Sequence, residues 1–274
     1  MNNNPIGVFD SGIGGLSVLK QFVRFLPFES YIYLGDTARV PYGNRSPEIV
    51  KLYARQSTEF LLEKNVKLIV TACNTVSAVA LDEVRKIAGD VPVIDMISPA
   101  ASAALRATVN KRIGVIGTRA TVASGAYEKQ ILEFSSIDNS PEVFTKACPL
   151  LVPFVEEGMA THPAVKLVAE EYLQELIEKH VDTLVMGCTH YPLLVPMIRE
   201  IMPNISLIDT GEHASVTALR LLAERGDLVD ERNSYMEKPK VEFYITDLPA
   251  LFYENAAAFL GFEIDKPNII QLDK

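Results

Sequence analysis

The sequence predicts an α/β protein made of two similar, doubly wound domains with largely parallel sheets. Three observations carry that expectation. Short apolar runs alternate with helical patterns along most of the chain, the order that parallel sheets with crossover helices produce. Two stretches recur about 110 residues apart, Ile6-Gly7-Val8-Phe9-Asp10-Ser11-Gly12 with Ile113-Gly114-Val115-Ile116-Gly117-Thr118-Arg119, and the run ending Ala72-Cys73-Asn74-Thr75 with the run ending Gly187-Cys188-Thr189-His190. The length of 274 residues also exceeds the usual size of one domain, about 100 to 150.

Taken in order, the first strand is expected near 6–9, followed by a helix whose apolar stripe is Leu16, Leu19, Val23 and Leu26. A second strand near 31–34 leads into the polar, turn-forming link Gly35-Asp36-Thr37-Ala38-Arg39-Val40-Pro41-Tyr42-Gly43. Ser46-Pro47-Glu48 then opens a helix with a cap residue, a first-turn proline and an acid. Strands near 66–72 and 91–96 complete the first unit, and those near 112–117, 142–147, 182–187 and 205–208 form the second. Boundaries near Ser98-Pro99 and Asp209-Thr210-Gly211, with a last strand near 241–246, make the first domain discontinuous: residues 1–97 plus 211–274, against 98–210 for the second.

Net charge is −9, with 48% hydrophobic and 22% charged residues. That balance fits a globular protein and argues against nucleic acid as a partner, because a phosphate backbone demands clustered Lys and Arg. No apolar stretch reaches membrane-spanning length, and the N-terminal Met1-Asn2-Asn3-Asn4-Pro5 has no signal-peptide character. Cys73, Cys148 and Cys188 in a chain without export signals imply a reducing compartment, so a cytoplasmic location is expected.

Ligands of open α/β sheets bind beyond the carboxyl ends of the strands, which is where both repeated turns fall. Each of Cys73 and Cys188 follows a strand and precedes a helical pattern, so each thiol is expected at a helix start, where free N–H groups favour thiolate. Either cysteine alone reads best as a small buried hydrophobe. As a pair in matching frames, followed by Asn74-Thr75 and Thr189-His190, they read as two acid/base groups facing one cleft between the domains. Only a modest fall from the ordinary cysteine pKa, about 8.5, is then needed to prepare one thiolate. Cys148 lacks such a frame and is expected to be inert.

Asp10-Ser11-Gly12-Ile13-Gly14-Gly15 is a glycine-rich turn without the Lys-Ser/Thr ending of a phosphate loop, and Asp10 reads equally as a turn cap or as the partner of an ammonium group. His190, two residues beyond Cys188, can exchange a proton with that thiol. Cys-Thr-His is not a zinc-finger spacing, although a thiol redox or zinc-binding protein using Cys73, Cys188 and His190 is the alternative from a different class. Tyr42-Gly43 offers backbone N–H groups to an anionic ligand end. Glu156-Glu157-Gly158 reads first as a helix terminus, and His162, His180 and His213 as solvated or capping residues.

At Asp10–Gly15, Gly35–Gly43, Thr71–Thr75 and Gly187–Pro192 the chain resembles the glutamate racemase family, within the cofactor-independent aspartate/glutamate racemase superfamily. The resemblance implies Cys73 and Cys188 as catalytic acid/bases, with Asp10 assisting the first and His190 the second. It implies substrate contacts from Asp10, Ser11, Tyr42, Gly43, Asn74, Thr75, Thr189 and His190, and secondary positions at Asp36, Thr118, Thr121 and Glu156. It further implies no cofactor, a homodimer, and D-glutamate supplied to peptidoglycan synthesis in a bacterial cytoplasm. His190 stands where aspartate-specific relatives carry an acid, which favours glutamate over the alternative of aspartate or another small amino acid. The chain is shorter at its N-terminus than members activated by a nucleotide-linked peptidoglycan precursor, so that activation is not expected.

Overall fold

The computed structural model describes residues 2–136, 140–229 and 240–272. Two sheets form, and every described strand pairing in both is parallel. The first contains β1 (Ile6–Asp10), β2 (Tyr31–Gly35), β3 (Leu68–Thr71), β4 (Val93–Ile94), β9 (Val241–Ile245) and β10 (Asn268–Ile269), in the spatial order β10-β9-β2-β1-β3-β4. The second contains β5 (Arg112–Gly117), β6 (Glu142–Ala147), β7 (Thr183–Gly187) and β8 (Ser206–Asp209), in the order β6-β5-β7-β8. Replacing β1, β2, β3 and β4 by β5, β6, β7 and β8 maps one order onto the other, so the sequence repeat is a repeat of topology and the two domains are pseudo-symmetric. Only β9 and β10 break the match, and β10 escapes sequence reading because two exposed edge residues carry no periodicity.

Side-chain alternation along the central strands divides the core. On β1, Ile6 and Val8 face one apolar cluster while Phe9 faces another. Helices α2 (Pro47–Glu63), α3 (Asn74–Val79) and α4 (Leu81–Ala88) cover the outer face of the first sheet. Helices α5 (Ile97–Ala107) and α7 (Ala126–Phe134) cover the matching face of the second, with the short α6 (Arg119–Ala123) opening the loop before α7. Between the sheets one continuous cluster joins α1 (Leu16–Phe25), α8 (Leu151–Glu156), α9 (Pro163–Glu178), α10 (Val195–Ile201), α11 (Thr210–Arg225) and α12 (Phe252–Leu260). Both sheets are therefore wound on two faces, as the alternation predicted, and a shared core lies beneath the cleft between them.

The crossings between sheets are capped. Asp95 accepts from the N–H groups of Ile97 and Ser98 where the chain leaves for α5, and Asp209 accepts from those of Gly211 and Glu212 where α11 leads back. Residues 230–239 and 273–274, within the stretch expected to close the first domain, lie outside the described residues. Two local expectations are corrected. Ser46 occupies the N-cap position of α2, but its side chain caps no backbone N–H there. The segment after Cys188 begins as a 3₁₀ turn, Tyr191–Leu194, and becomes α-helical only at Val195, since Pro192 and Pro196 each lack the N–H that a continuous ladder needs.

At the opposite end of the first sheet from the cleft, Lys67 and Glu29 form a buried ion pair at 2.6 Å. The Lys67 ammonium also donates to the carbonyls of Asn2 and Asp227, while Glu29 accepts from the Val229 N–H. The pair thus ties the start of β3 to the chain beyond α11.

Candidate active site

The carboxyl ends of β1, β3, β5 and β7 meet across the gap between the sheets and enclose a cavity of about 230 Å³, below the usual range of drug-sized pockets and suited to a small molecule. Its wall includes Ser11, Tyr42, Gly43, Cys73, Asn74, Thr75, Thr118, Glu156, Cys188, Thr189 and His190, so most of the expected site residues converge. Asp10, Asp36 and Thr121 stand behind that wall rather than in it.

The turn after β1 is shaped by its glycines. The Gly12 N–H donates to Asp10 Oδ2 at 3.0 Å and the Gly12 carbonyl accepts from the Tyr33 hydroxyl at 2.7 Å. A Cβ on Gly15 would lie 2.4 Å from that of Asp10, and one on Gly14 would lie 2.4 Å from Thr189 Oγ1. The bare backbone lets this turn seat against the Cys188 turn, where the Ser17 hydroxyl also donates to the Thr189 carbonyl at 2.7 Å. Asp10 is accordingly a turn cap through one oxygen, while the other, Oδ1, is buried without a hydrogen-bond partner among the described residues. Burial raises its carboxyl pKa, against the pull of His190 and the turn N–H groups.

Cys73 sits at the N-cap position of α3 with its thiol 3.6 Å from Ser11 Oγ. The Cys73 pKa is pushed up to about 12, first by burial and then by the carboxylate of Asp10. Six residues of α3 supply too little dipole to offset that. This environment favours the thiol form of Cys73.

Cys188 has a different neighbourhood. Its Sγ is 3.8 Å from His190 Nδ1, and His190 Nε2 is 3.0 Å from Glu156 Oε1 at the end of α8. Burial acts to lower the His190 pKa, but the hydrogen bonds and negative charge of Cys188 and Glu156 outweigh it and carry it up to about 10. The imidazole is therefore cationic at neutral pH. Phe259 of α12 presents its ring edge-on to His190 at 5.4 Å, and Asn255 of the same helix donates to the Glu156 carbonyl at 2.7 Å.

On the far side of the cleft Thr75 reaches Thr118 at 3.0 Å and Thr121 at 3.3 Å, a hydroxyl cluster bridging the two domains. A Cβ on Gly43 would strike Thr118 at 2.6 Å, so glycine is required for that approach. The Tyr42-Gly43 segment is buried, with Asp36 anchoring it: the carboxylate accepts from the Tyr42 hydroxyl, from Arg39 at 2.6 Å and from Thr246 at 2.9 Å. Asp36 thus acts through Tyr42. His162 caps α9 through Nδ1, as its surroundings implied, and Cys148 is buried with its thiol against the Lys146 carbonyl.

Sequence reasoning passed over Val40, Pro41, Arg119, Val152 and Pro153, which also line the cavity. Val40 and Pro41 lie within the Gly35–Gly43 motif but carry no ionisable or hydrogen-bonding side chain, and only nearness to Thr118 and Glu156 pointed toward Arg119, Val152 and Pro153. Among the described residues no group of three or more His, Cys, Asp or Glu side chains is placed to hold a metal ion, and no helix is long and apolar enough to cross a membrane.

Two parallel α/β domains, with a thiol-bearing turn from each facing a small shared cavity, define the class: a two-domain α/β protein with its candidate site between the sheets. The chain belongs to the Asp/Glu/Hydantoin racemase family, whose model matches residues 6–218. It is 48% identical over 270 residues to the glutamate racemase of Chlorobaculum tepidum, covering 98% of this chain and 97% of that protein. It is 44% identical over 278 residues to the glutamate racemase of Syntrophus aciditrophicus, covering 99% and 100%. Among solved structures it is similar to glutamate racemase from Francisella tularensis in complex with D-glutamate, with a TM-score of 0.91, 41% identity, and coverage of 100% and 99%.

Proposed function

We propose that this chain is a glutamate racemase, an isomerase interconverting L- and D-glutamate without a cofactor, with Cys73 and Cys188 as its two acid/bases. The observation that carries the reading is the pair of thiols in equivalent turns on opposite walls of one small cavity, each with its own polar partner. Inversion removes the α-proton from one face and returns a proton to the other, which a single base cannot do. Starting from L-glutamate, the Cys188 thiolate, partnered by cationic His190, takes the α-proton, and the Cys73 thiol donates its proton to the opposite face. The product is D-glutamate, with Cys188 as thiol and Cys73 as thiolate, and proton exchange through Asp10 and His190 resets the pair.

The raised pKa of Cys73 fits this direction, because that side holds its proton. Asp10, whose Oδ1 has no hydrogen-bond partner among the described residues, is the group for the substrate ammonium or for the Cys73 proton. Ser11, Tyr42, Gly43, Asn74, Thr75 and Thr189 supply hydroxyl, amide and backbone donors to the two carboxylates and to the charge developing at the α-carbon. The relatives named as glutamate racemases, and the one solved with D-glutamate, support glutamate over aspartate.

The wider setting follows from the same reading: D-glutamate for peptidoglycan synthesis, a cytoplasmic location, a homodimer, and domains of 1–97 plus 211–274 and 98–210. The direct test is circular dichroism of L-glutamate with dialysed protein. Decay of the signal to zero without added cofactor is expected, and a stable signal rules the activity out.

A further inference from the structure

Tyr127, in α7, belongs to none of the sequence motifs, yet it touches both thiol turns. Its ring rests against Gly187, the residue before Cys188, where a Cβ would lie 3.1 Å from Tyr127 Cε2. Its hydroxyl donates to Oδ1 of Asn74, the residue after Cys73, at 2.5 Å. Tyr127 is 2% exposed and Asn74 also 2%. Asn74 lines the cavity, and its Nδ2 is buried with no hydrogen-bond partner among the described residues.

We propose that Tyr127 is a positioning residue that fixes the Asn74 amide with its NH₂ group available to the substrate, and that it sets the spacing of the two thiol turns. This rests on Asn74 being a substrate contact, as proposed above. An amide can present either its oxygen or its two N–H donors to a ligand, and a carboxylate or developing enolate accepts only the donors. Among the described residues the Tyr127 hydroxyl makes the one bond. If the amide were reversed, the phenol would accept from Nδ2 and leave its own proton buried and unpaired, so the Oδ1-facing orientation pairs the phenol proton with the amide oxygen and leaves Nδ2 for a ligand. Burial, with Asp95 and Cys188 nearby, holds the phenol pKa well above its usual value, which keeps that proton in place. Because α7 belongs to the second sheet's layer and Asn74 to the first, the same bond makes the amide's orientation depend on the domains being closed.

A double-mutant cycle tests this. Tyr127→Phe keeps the ring on Gly187 and removes only the hydroxyl. It is expected to raise KM for both enantiomers of glutamate about tenfold, with kcat changed less than about threefold, since the amide is used in binding before and during proton transfer. In the Asn74→Ala background the same substitution is expected to change KM by less than about twofold, because its route of action is gone. An equal penalty in both backgrounds, or an unchanged KM in Tyr127→Phe alone, overturns the proposal. The same cycle measured by calorimetry, as the Kd of glutamate, is expected to show the same pattern without turnover. Cys73→Ala and Cys188→Ala, assayed alongside, separate the two readings: if they are inactive while Tyr127→Phe behaves as wild type, only the positioning role fails.

Discussion

Gly14 of the first domain lies so close to His190 of the second that a Cβ on it would sit 2.4 Å from His190 Cε1. This contact sets how near the Asp10 turn can approach the Cys188 turn, and through them the alignment of the two thiols. Gly14→Ala is therefore expected to displace the two turns and lower kcat by about 100-fold, the scale of a 1 Å misplacement in a reacting site. Steady-state racemisation with a parallel thermal melt checks it, and an unchanged kcat would show that the contact yields without consequence.

Replacing either Cys73 or Cys188 by alanine is expected to abolish racemisation, since each inversion needs one abstraction and one donation. Elimination from a glutamate analogue with a β-leaving group needs abstraction alone. Cys188→Ala is expected to process the D-analogue and Cys73→Ala the L-analogue. Racemisation surviving in either variant would falsify the two-base scheme.

His190 makes stability depend on pH. Its folded pKa is raised from an unfolded value of about 6.5 to about 10, so its contribution is complete below the lower value and is lost as pH rises through the upper one. The stability difference between wild type and His190→Asn is expected to shrink across that window, and Glu156→Gln to narrow it by removing the carboxylate partner of His190. Denaturant unfolding at stepped pH reads this directly, and a flat difference would mean that His190 is not cationic in the folded protein. Asp10→Asn is expected to lower kcat with a nearly unchanged thermal midpoint, whereas His190→Asn is expected to lower both at neutral pH.

Lys67→Met leaves Glu29 charged and buried, which typically costs about 3–5 kcal/mol, whereas the double change with Glu29→Leu is expected to recover most of that loss. Urea unfolding of the single and double variants measures both. Similar losses in the two would assign the cost to packing instead of the orphaned charge.

Aspartate is one methylene shorter than glutamate, so anchoring both its carboxylates draws the α-carbon out of line with the two thiols. Turnover of aspartate at least about 100-fold slower than that of glutamate is expected. Equal rates would remove the specificity claim.

Much of this was legible in the chain. Strand positions, the repeat and the two cysteine frames follow from local periodicity and from residue types whose spacing survives folding, so the α/β class and the two thiol turns were legible, while Thr118 and Glu156 entered only through the family resemblance. Asp10 could be read only as cap or site group, and the folded turn makes it a cap on one oxygen with the other left over. What only tertiary structure decided is the environment: that Asp36 works behind Tyr42, that Glu156 reaches across 34 residues to His190, that Tyr127 joins both thiol turns, and that Cys73 is pushed up while His190 is held cationic. Burial and through-space charge act between atoms brought together from distant parts of the chain, and no local pattern encodes a desolvation cost or a partner that arrives only when two domains meet.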